Sequence, residues 1–231
     1  MHLKPYQAAV GSLNHAAVMT CPDIANAVQT VAQFSSNPGK HYWYAVISII
    51  RYLKTTGNWV LALGGKSAAI KILGYCDADH ANSPDHGRSI SGYAMMLGNG
   101  CFSWSSKKQT ATALSTGEAE YYTTVHAGRE VNWVRQLLAE IVFSPQTATT
   151  LHIDNTSSIR MIETPDQVTN HTKHINIAYH WIHEEVQKQT ILPEYVPSDK
   201  NSSDIFTKGF HAPRHKELAC ALGMGLRADA S

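Results

Sequence analysis

Apolar residues recur with two different periods along this chain, and the change from one to the other near residue 57 divides it. Upstream, apolar positions return every three or four residues, as one face of a helix requires. They predict a helix over 6–18, a second opened by Pro22 in its first turn and running to about 34, and a third over 42–54 after the turn Asn37-Pro38-Gly39. The third is dense in Trp43, Val46, Ile47, Ile50 and Leu53, and Trp43, Ile47 and Ile50 are expected to pack on one another. Three short helices with tight connections make a small helical unit. They are too few to bury all their apolar surface alone.

From Trp59 onward the period shortens to that of strands. Residues 59–63 and 69–78 are strand candidates separated by Gly64-Gly65, and 92–97 and 101–105 flank the hairpin signal Gly98-Asn99-Gly100. A long helix over 116–142 follows, then a strand at 150–154, helices at 156–163 and 175–189, a strand at 191–197 and a final helix from Ser202. Strands first and then alternating helices and strands fit an α/β fold, a mixed sheet with helices packed on it.

Four acidic residues stand where an acid is awkward: Asp77, Asp154 and Asp204 at the ends or starts of elements, and Glu120 on a helix. From Glu120, steps of seven, four, three, four and three reach Ala127, Val131, Val134, Leu138 and Ile141, an apolar stripe, so Glu120 points inward. Glu118 lies roughly 200° away on the same helix, on a face shared with Arg129 and Gln136, and is a surface or helix-terminus charge. Taken singly, each of the other acids has a plain structural reading. Asp77 could end an edge strand, Asp154 with Asn155 could cap the helix at Thr156, and Asp204 could favour a helix dipole. Taken together, carboxylates brought to one place repel unless a hard cation neutralises them, and such oxygen-rich sites suit Mg²⁺ or Mn²⁺. A carboxylate nest of this kind with two metals is apparatus for cutting a phosphodiester.

Ser106, Lys107, Lys108 and Gln109 at a strand end, with Ser115 and Thr116 at the start of the long helix, form a polar edge suited to phosphate or sugar oxygens. An ordinary helix cap explains Ser115 and Thr116 equally well. Lys40, Arg51 and Lys54 around the third helix could add a few phosphate contacts. His171, His174, His180 and His183 do not share one helix face, which disfavours zinc.

Net charge of +1 exerts no global pull on nucleic acid, so phosphate binding must come from local basic patches. The 231 residues, 43% of them hydrophobic, allow one large or two modest domains. Four unpaired cysteines, Cys21, Cys76, Cys101 and Cys220, with no membrane-length apolar run and no signal-like N-terminus, lead us to expect an intracellular protein, in the cytoplasm, a virus-like particle or the nucleus.

Segments 74–81, Arg88-Ser-Ile-Ser-Gly-Tyr93, Ser103-Trp-Ser-Ser-Lys-Lys108, 113–122, 152–159, 172–180 and 195–208 resemble the ribonuclease H domain of copia-type LTR-retrotransposon Pol polyproteins. Segments 5–13, 21–28, 36–40 and 50–55 resemble the stretch after the polymerase palm in the same polyproteins. The resemblance implies an RNase H-like mixed five-stranded sheet at 69–223, a reverse transcriptase thumb or connection remnant and linker at 1–68, and a tail at 224–231. It also implies Asp77, Glu120, Asp154 and Asp204 as ligands of two Mg²⁺ ions, which Mn²⁺ can replace, and RNA·DNA hybrid as substrate, with 2′-hydroxyls read in the wide minor groove. Asn155, Lys173 and His174 lie in its motifs and are expected to meet nucleic acid, and the rest of the reverse transcriptase is an expected partner. No Asp-Asp pair occurs, so polymerase chemistry is not expected from these residues. His80 stands where relatives commonly have tryptophan, and the loop before Asp204 has no histidine. A catalytically silent nucleic-acid-binding remnant and an integrase-like member of the same superfold are the competing readings.

Overall fold

The computed structural model describes residues 5–64, 71–80, 88–110, 112–113, 115–141, 143, 145–164 and 173–226, except for the side chains of 173–179. Helices α1 (Tyr6–Met19), α2 (Ala25–Ala32) and α3 (Lys40–Thr55) form the expected N-terminal unit around Tyr6, Val10, Leu13, Val28, Val31, Val46 and Ile49. Pro22 opens a short 3₁₀ turn, Pro22–Ile24, that feeds α2, since its fixed φ and missing N–H suit a first turn. Ile50, expected inside, is 42% exposed. The buried stripe of α3 is centred on Val46, Ile49 and Leu53, and Ile50 is rotated from that centre by roughly 70°.

Strands β2 (Ile72–Asp79), β3 (Ile90–Leu97), β4 (Gly100–Lys108), β5 (Thr149–Ile153) and β6 (Ile191–Tyr195) form the mixed five-stranded sheet, in the order β4-β3-β2-β5-β6. The pairs β2–β3 and β3–β4 are antiparallel, while β2–β5 and β5–β6 are parallel. Gly98, with φ +63°, turns the hairpin between β3 and β4, a conformation that favours glycine. Parallel neighbours need crossovers. These are α4 (Thr116–Glu140) before β5, then α5 (Thr156–Glu163) and α6 (Lys173–Gln187) before β6. Pro193 is tolerated because β6 is an edge strand with a single partner.

One face of the sheet packs on these helices through Tyr121, Val125, Val131, Leu151, Ile153 and Ile182. The helix expected from Ser202 is instead two pieces, a 3₁₀ turn Ser202–Phe206 and helix α7 (Ala212–Ala221). Gly209 and Pro213 account for the break, because proline cannot continue a helix but readily begins one. Both pieces cover the second face, where Phe206, Leu218 and Leu222 meet Ala94 and Met96. Residues expected as linker and tail pair with each other: β1 (Trp59–Leu61) runs antiparallel to β7 (Met224–Leu226).

The helical unit docks on the same second face. Trp104 Nε1 donates to the Ala17 carbonyl at 2.8 Å, Asn26 Nδ2 to the Phe206 carbonyl at 2.9 Å, and the His215 ring meets the Asp23 carbonyl at 3.0 Å. Gly92 on β3 lets the 3₁₀ turn approach: a Cβ there would lie 2.7 Å from Phe206 Cβ, 2.8 Å from Thr207 Cγ2 and 3.2 Å from the Ser203 carbonyl oxygen. Gly92→Ala should therefore push this turn off the sheet and destabilise the fold by about 1–3 kcal/mol, as overpacking does. Urea denaturation of both proteins measures this, and an unshifted midpoint would mean that the turn yields without loss.

Candidate active site

The parallel ladder between β2 and β5 ends at the pair Cys76–Ile153. Asp77 and Asp154 are the next residue on each strand, so both carboxylates arise at the carboxyl ends of neighbouring parallel strands, where open α/β sheets leave a crevice. Asp77 is 1% exposed, still within β2 and paired with Gly92 of β3. The turn carrying Asp204 is tied to the same strand end. Asn201 Nδ2 donates to the Cys76 carbonyl at 2.9 Å, and Asn201 Oδ1 accepts from the Ser203 hydroxyl at 2.6 Å and its N–H at 3.2 Å. As a result, one carboxylate oxygen each of Asp77, Asp154 and Asp204 lies within 4.8 Å of the others.

Glu120 comes from the other side, on the second turn of α4. Ser115 caps this helix by accepting the Glu118 N–H at 3.2 Å. The apolar stripe does turn Glu120 inward: it is 3% exposed, and Val131 and Val134 below it are buried. The stripe leaves the core at the far end, where Ile141 is 64% exposed beyond the last turn of α4. Glu118 accepts instead from Tyr122 on the helix surface. Glu120 accepts a backbone bond from Ala78, while its Oε2 is buried with no hydrogen-bond partner among the described residues. It stands beside the three aspartates, outside their triangle but within their field.

Burial and then the charges of Asp77 and Asp154 push Glu120 up from 4.5 to about 9. Burial likewise raises Asp77 from 3.8 to about 6, with the Lys208 ammonium opposing it and Asp204 adding to it. Asp204 is also raised, by burial first, against the pull of Lys208. Lys208 was not among the expected site residues. Its Nζ lies 3.1 Å from Asp77 Oδ1 and 2.5 Å from Asp204 Oδ1, and the Thr207 hydroxyl donates to Asp77 Oδ2. Burial disfavours the Lys208 charge, yet the two carboxylates outweigh that and its pKa is raised. The donor set fits a hard divalent cation: all oxygen, crowded with like charge, and with one buried oxygen of Glu120 unsatisfied.

The polar edge is divided in the structure. Lys107 is exposed and Thr116 sits at the exposed start of α4. Gln109 is 8% exposed, and its amide donates to Ser91, to Thr123 and to the Ala119 carbonyl, so it joins β4 to α4 rather than facing solvent. Ser106 donates to the Phe206 carbonyl at 2.6 Å, and Lys108 reaches Gln33 at 3.2 Å. Asn155 caps α5 through the Ser158 N–H at 3.0 Å. Lys173 and His174 lie on α6, but their side chains, like Thr172 and His171, fall outside the described residues. His183 is held by the Ile162 carbonyl and by Gln187. Sequence reasoning missed His126 and Arg129, which with Lys107, Gln109 and Tyr122 line a groove of about 240 Å³ beside the start of α4. Burial first, then the charges of Lys107 and Arg129, hold His126 below its usual range.

The raised carboxyls have a thermodynamic consequence. A carboxyl whose pKa rises on folding favours the folded state most when protonated, and that contribution is lost as pH climbs through the folded value. For Asp77 and Glu120 the window runs from about pH 4 to about pH 9. The metal-free protein should lose stability steadily across it, and Mg²⁺ should restore more at pH 8 than at pH 5. Melting temperatures with and without Mg²⁺ test this; a metal-free curve that rises with pH would show that the acids do not burden one another.

No protein-family model matches the chain. It is 38% identical over 225 residues to the retrovirus-related Pol polyprotein from transposon TNT 1-94 of Nicotiana tabacum, covering 97% of this chain and 16% of that protein. It is 32% identical over 219 residues to the corresponding polyprotein from transposon RE1 of Arabidopsis thaliana, covering 95% of this chain and 15% of that one. The chain thus spans about a sixth of the length of these relatives. Among solved structures, an LC11-RNase H1 in complex with RNA/DNA hybrid aligns with a TM-score of 0.45 at 16% identity, over 59% of this chain and 94% of that one. With nearly its whole length aligned to such polyproteins, the chain belongs to the copia-type retrotransposon Pol family.

Proposed function

We propose that this chain hydrolyses the RNA strand of RNA·DNA hybrids, as the ribonuclease H portion of a retrotransposon Pol polyprotein. The observation that carries this reading is the convergence of acids from β2, α4, the end of β5 and the 3₁₀ turn on one crevice. Asp77, Asp154 and Asp204, with Glu120 beside them, would hold two Mg²⁺ ions, or Mn²⁺ in their place. When bound, these ions supply Lewis-acid stabilisation of the charge that develops on a phosphodiester under attack by water.

The chain's own residues do the rest. Asp77 is the fixed centre of the site, because its strand, the Thr207 hydroxyl and the packing around Gly92 leave it no freedom. Glu120, pushed up to about 9 by burial and by Asp77 and Asp154, would keep its proton near neutrality in the metal-free site and would serve as a carboxylate beside a bound cation. Lys107, His126 and Arg129 along the neighbouring groove would take backbone phosphates of the hybrid. Exposed Lys40, Arg51 and Lys54 on α3 would add salt-sensitive contacts.

Cleavage of a labelled RNA·DNA duplex in Mg²⁺, compared with duplex DNA and duplex RNA, tests the reading. Asp77→Asn should abolish cleavage while folding is kept or slightly improved, since a repelling carboxylate is removed. Glu120→Gln should slow cleavage by about a hundredfold or more, on the scale of losing one charge-stabilising group. Glu118→Gln should leave the rate nearly unchanged. Full activity in Asp77→Asn, or binding of hybrid without any cleavage by the wild-type protein, would replace this reading with that of a silent binding module.

A further inference from the structure

We propose that the Lys208 ammonium and a divalent cation alternate in the gap between Asp77 and Asp204, so that Lys208 is a built-in counter-ion that must swing out before the site loads. The inference rests on the reading of these acids as a cation site. It does not depend on the reaction performed there.

The geometry makes the two occupants exclusive. The ammonium is bonded to one oxygen of Asp77 and one of Asp204, at 3.1 and 2.5 Å, and the Asp204 carboxylate is one of the three that cluster. Thr207 donates to the other oxygen of Asp77, which leaves Oδ1 for the ammonium or for an ion. Like charges a few ångströms apart in a buried crevice repel strongly, so a cation on these carboxylates and the ammonium between them cannot share the gap. The root of the side chain is fixed, since the Lys208 N–H donates to the Asp204 carbonyl at 3.0 Å. Its tip has an exit: the Lys208 side chain is 35% exposed, and beside the next residue, Gly209, no described residue other than its chain neighbours lies within 4 Å of a would-be Cβ. A long flexible stem on a pinned backbone can therefore deliver its charge to the carboxylates or to solvent.

The consequence is a tax on metal binding. If about nine molecules in ten hold the ammonium inward, the apparent affinity for the ion falls about tenfold. In return, the repelling acids are partly neutralised whenever no ion is present.

Lys208→Met keeps most of the stem and removes the charge. Mn²⁺ binding, followed by electron paramagnetic resonance or calorimetry without nucleic acid, should tighten about tenfold in this variant, as removal of a competing state predicts. Its metal-free melting temperature should fall, and its gain on adding Mn²⁺ should exceed that of the wild-type protein. Loss of a nearby positive charge tightens cation binding even where the ammonium stays on the carboxylates, so the swing itself is read from the lysine. The wild-type protein labelled with ¹⁵N-lysine gives this second readout: a protected ammonium resonance from Lys208 should disappear as Mg²⁺ is added. Unchanged or weaker Mn²⁺ binding in a folded Lys208→Met, or a protected resonance that persists at saturating Mg²⁺, overturns the proposal. Failure of the wild-type protein to bind Mn²⁺ overturns both this inference and the cation site, whereas tight binding without hybrid cleavage removes only the nuclease reading.

Discussion

A carboxylate buried in the middle of a strand is the constraint on which the rest of this structure depends. Asp77 is 1% exposed with three other acids close by, an arrangement that burial and mutual repulsion both oppose. It persists because its surroundings leave the side chain no alternative. β3 holds the strand on one side, the turn bearing Asn201 and Asp204 closes over it, and the Thr207 hydroxyl and Lys208 ammonium meet its two oxygens. Each of these elements is itself fixed by apolar packing on one or the other face of the sheet, so the hydrophobic core sets the positions of the charges. Most of the stability is non-directional, and it is spent on holding a few polar atoms in one geometry.

The sheet order explains why the crevice opens where it does. β2 is the one strand with an antiparallel neighbour on one side and a parallel neighbour on the other. The antiparallel partner continues past Asp77 to Asp79, while the parallel ladder stops at Cys76. Backbone groups beyond that point have no strand partner on the β5 side, and Glu120 takes the Ala78 N–H there. The same asymmetry gives Asn201 its anchor on the Cys76 carbonyl, from which the turn reaches Asp204. A sheet of one kind, all parallel or all antiparallel, would lack this step.

What could be read from the sequence was what depends on local period. The phase of α4 separated Glu120 from Glu118 because a helix keeps its 3.6-residue register whatever packs against it. The hairpin at Gly98 and most strand and helix spans followed for the same reason. The misreadings lie where tertiary contact decides. Gln109 reads as a strand-end residue free to meet substrate, yet it is buried between β4 and α4. Ile50 fits the apolar pattern of α3, but its place beside the buried stripe leaves it 42% exposed. The run from Ser202 looks helical, but its glycine and proline split it, and the resulting 3₁₀ turn packs closely against Gly92 of β3. Lys208 was beyond reach for a further reason. Its spacing to Asp204 is visible, but its bond to Asp77, 131 positions away, exists only after folding.

The helical unit also bears on the site, although its one acid, Asp23, does not join the cluster. Asn26 on α2 donates to the Phe206 carbonyl, and Ser106 of β4 donates to that same oxygen. This doubly held carbonyl ends the 3₁₀ turn, next to Thr207 and Lys208. The bond from Asn26 therefore acts on the segment that contacts both oxygens of Asp77, and the antiparallel pair β1–β7 links the end of the helical unit to the residues after α7. The N-terminal helices thus meet the sheet directly, through Trp104 and Lys108 of β4, and also through the turn that carries Asp204 and leads to Lys208.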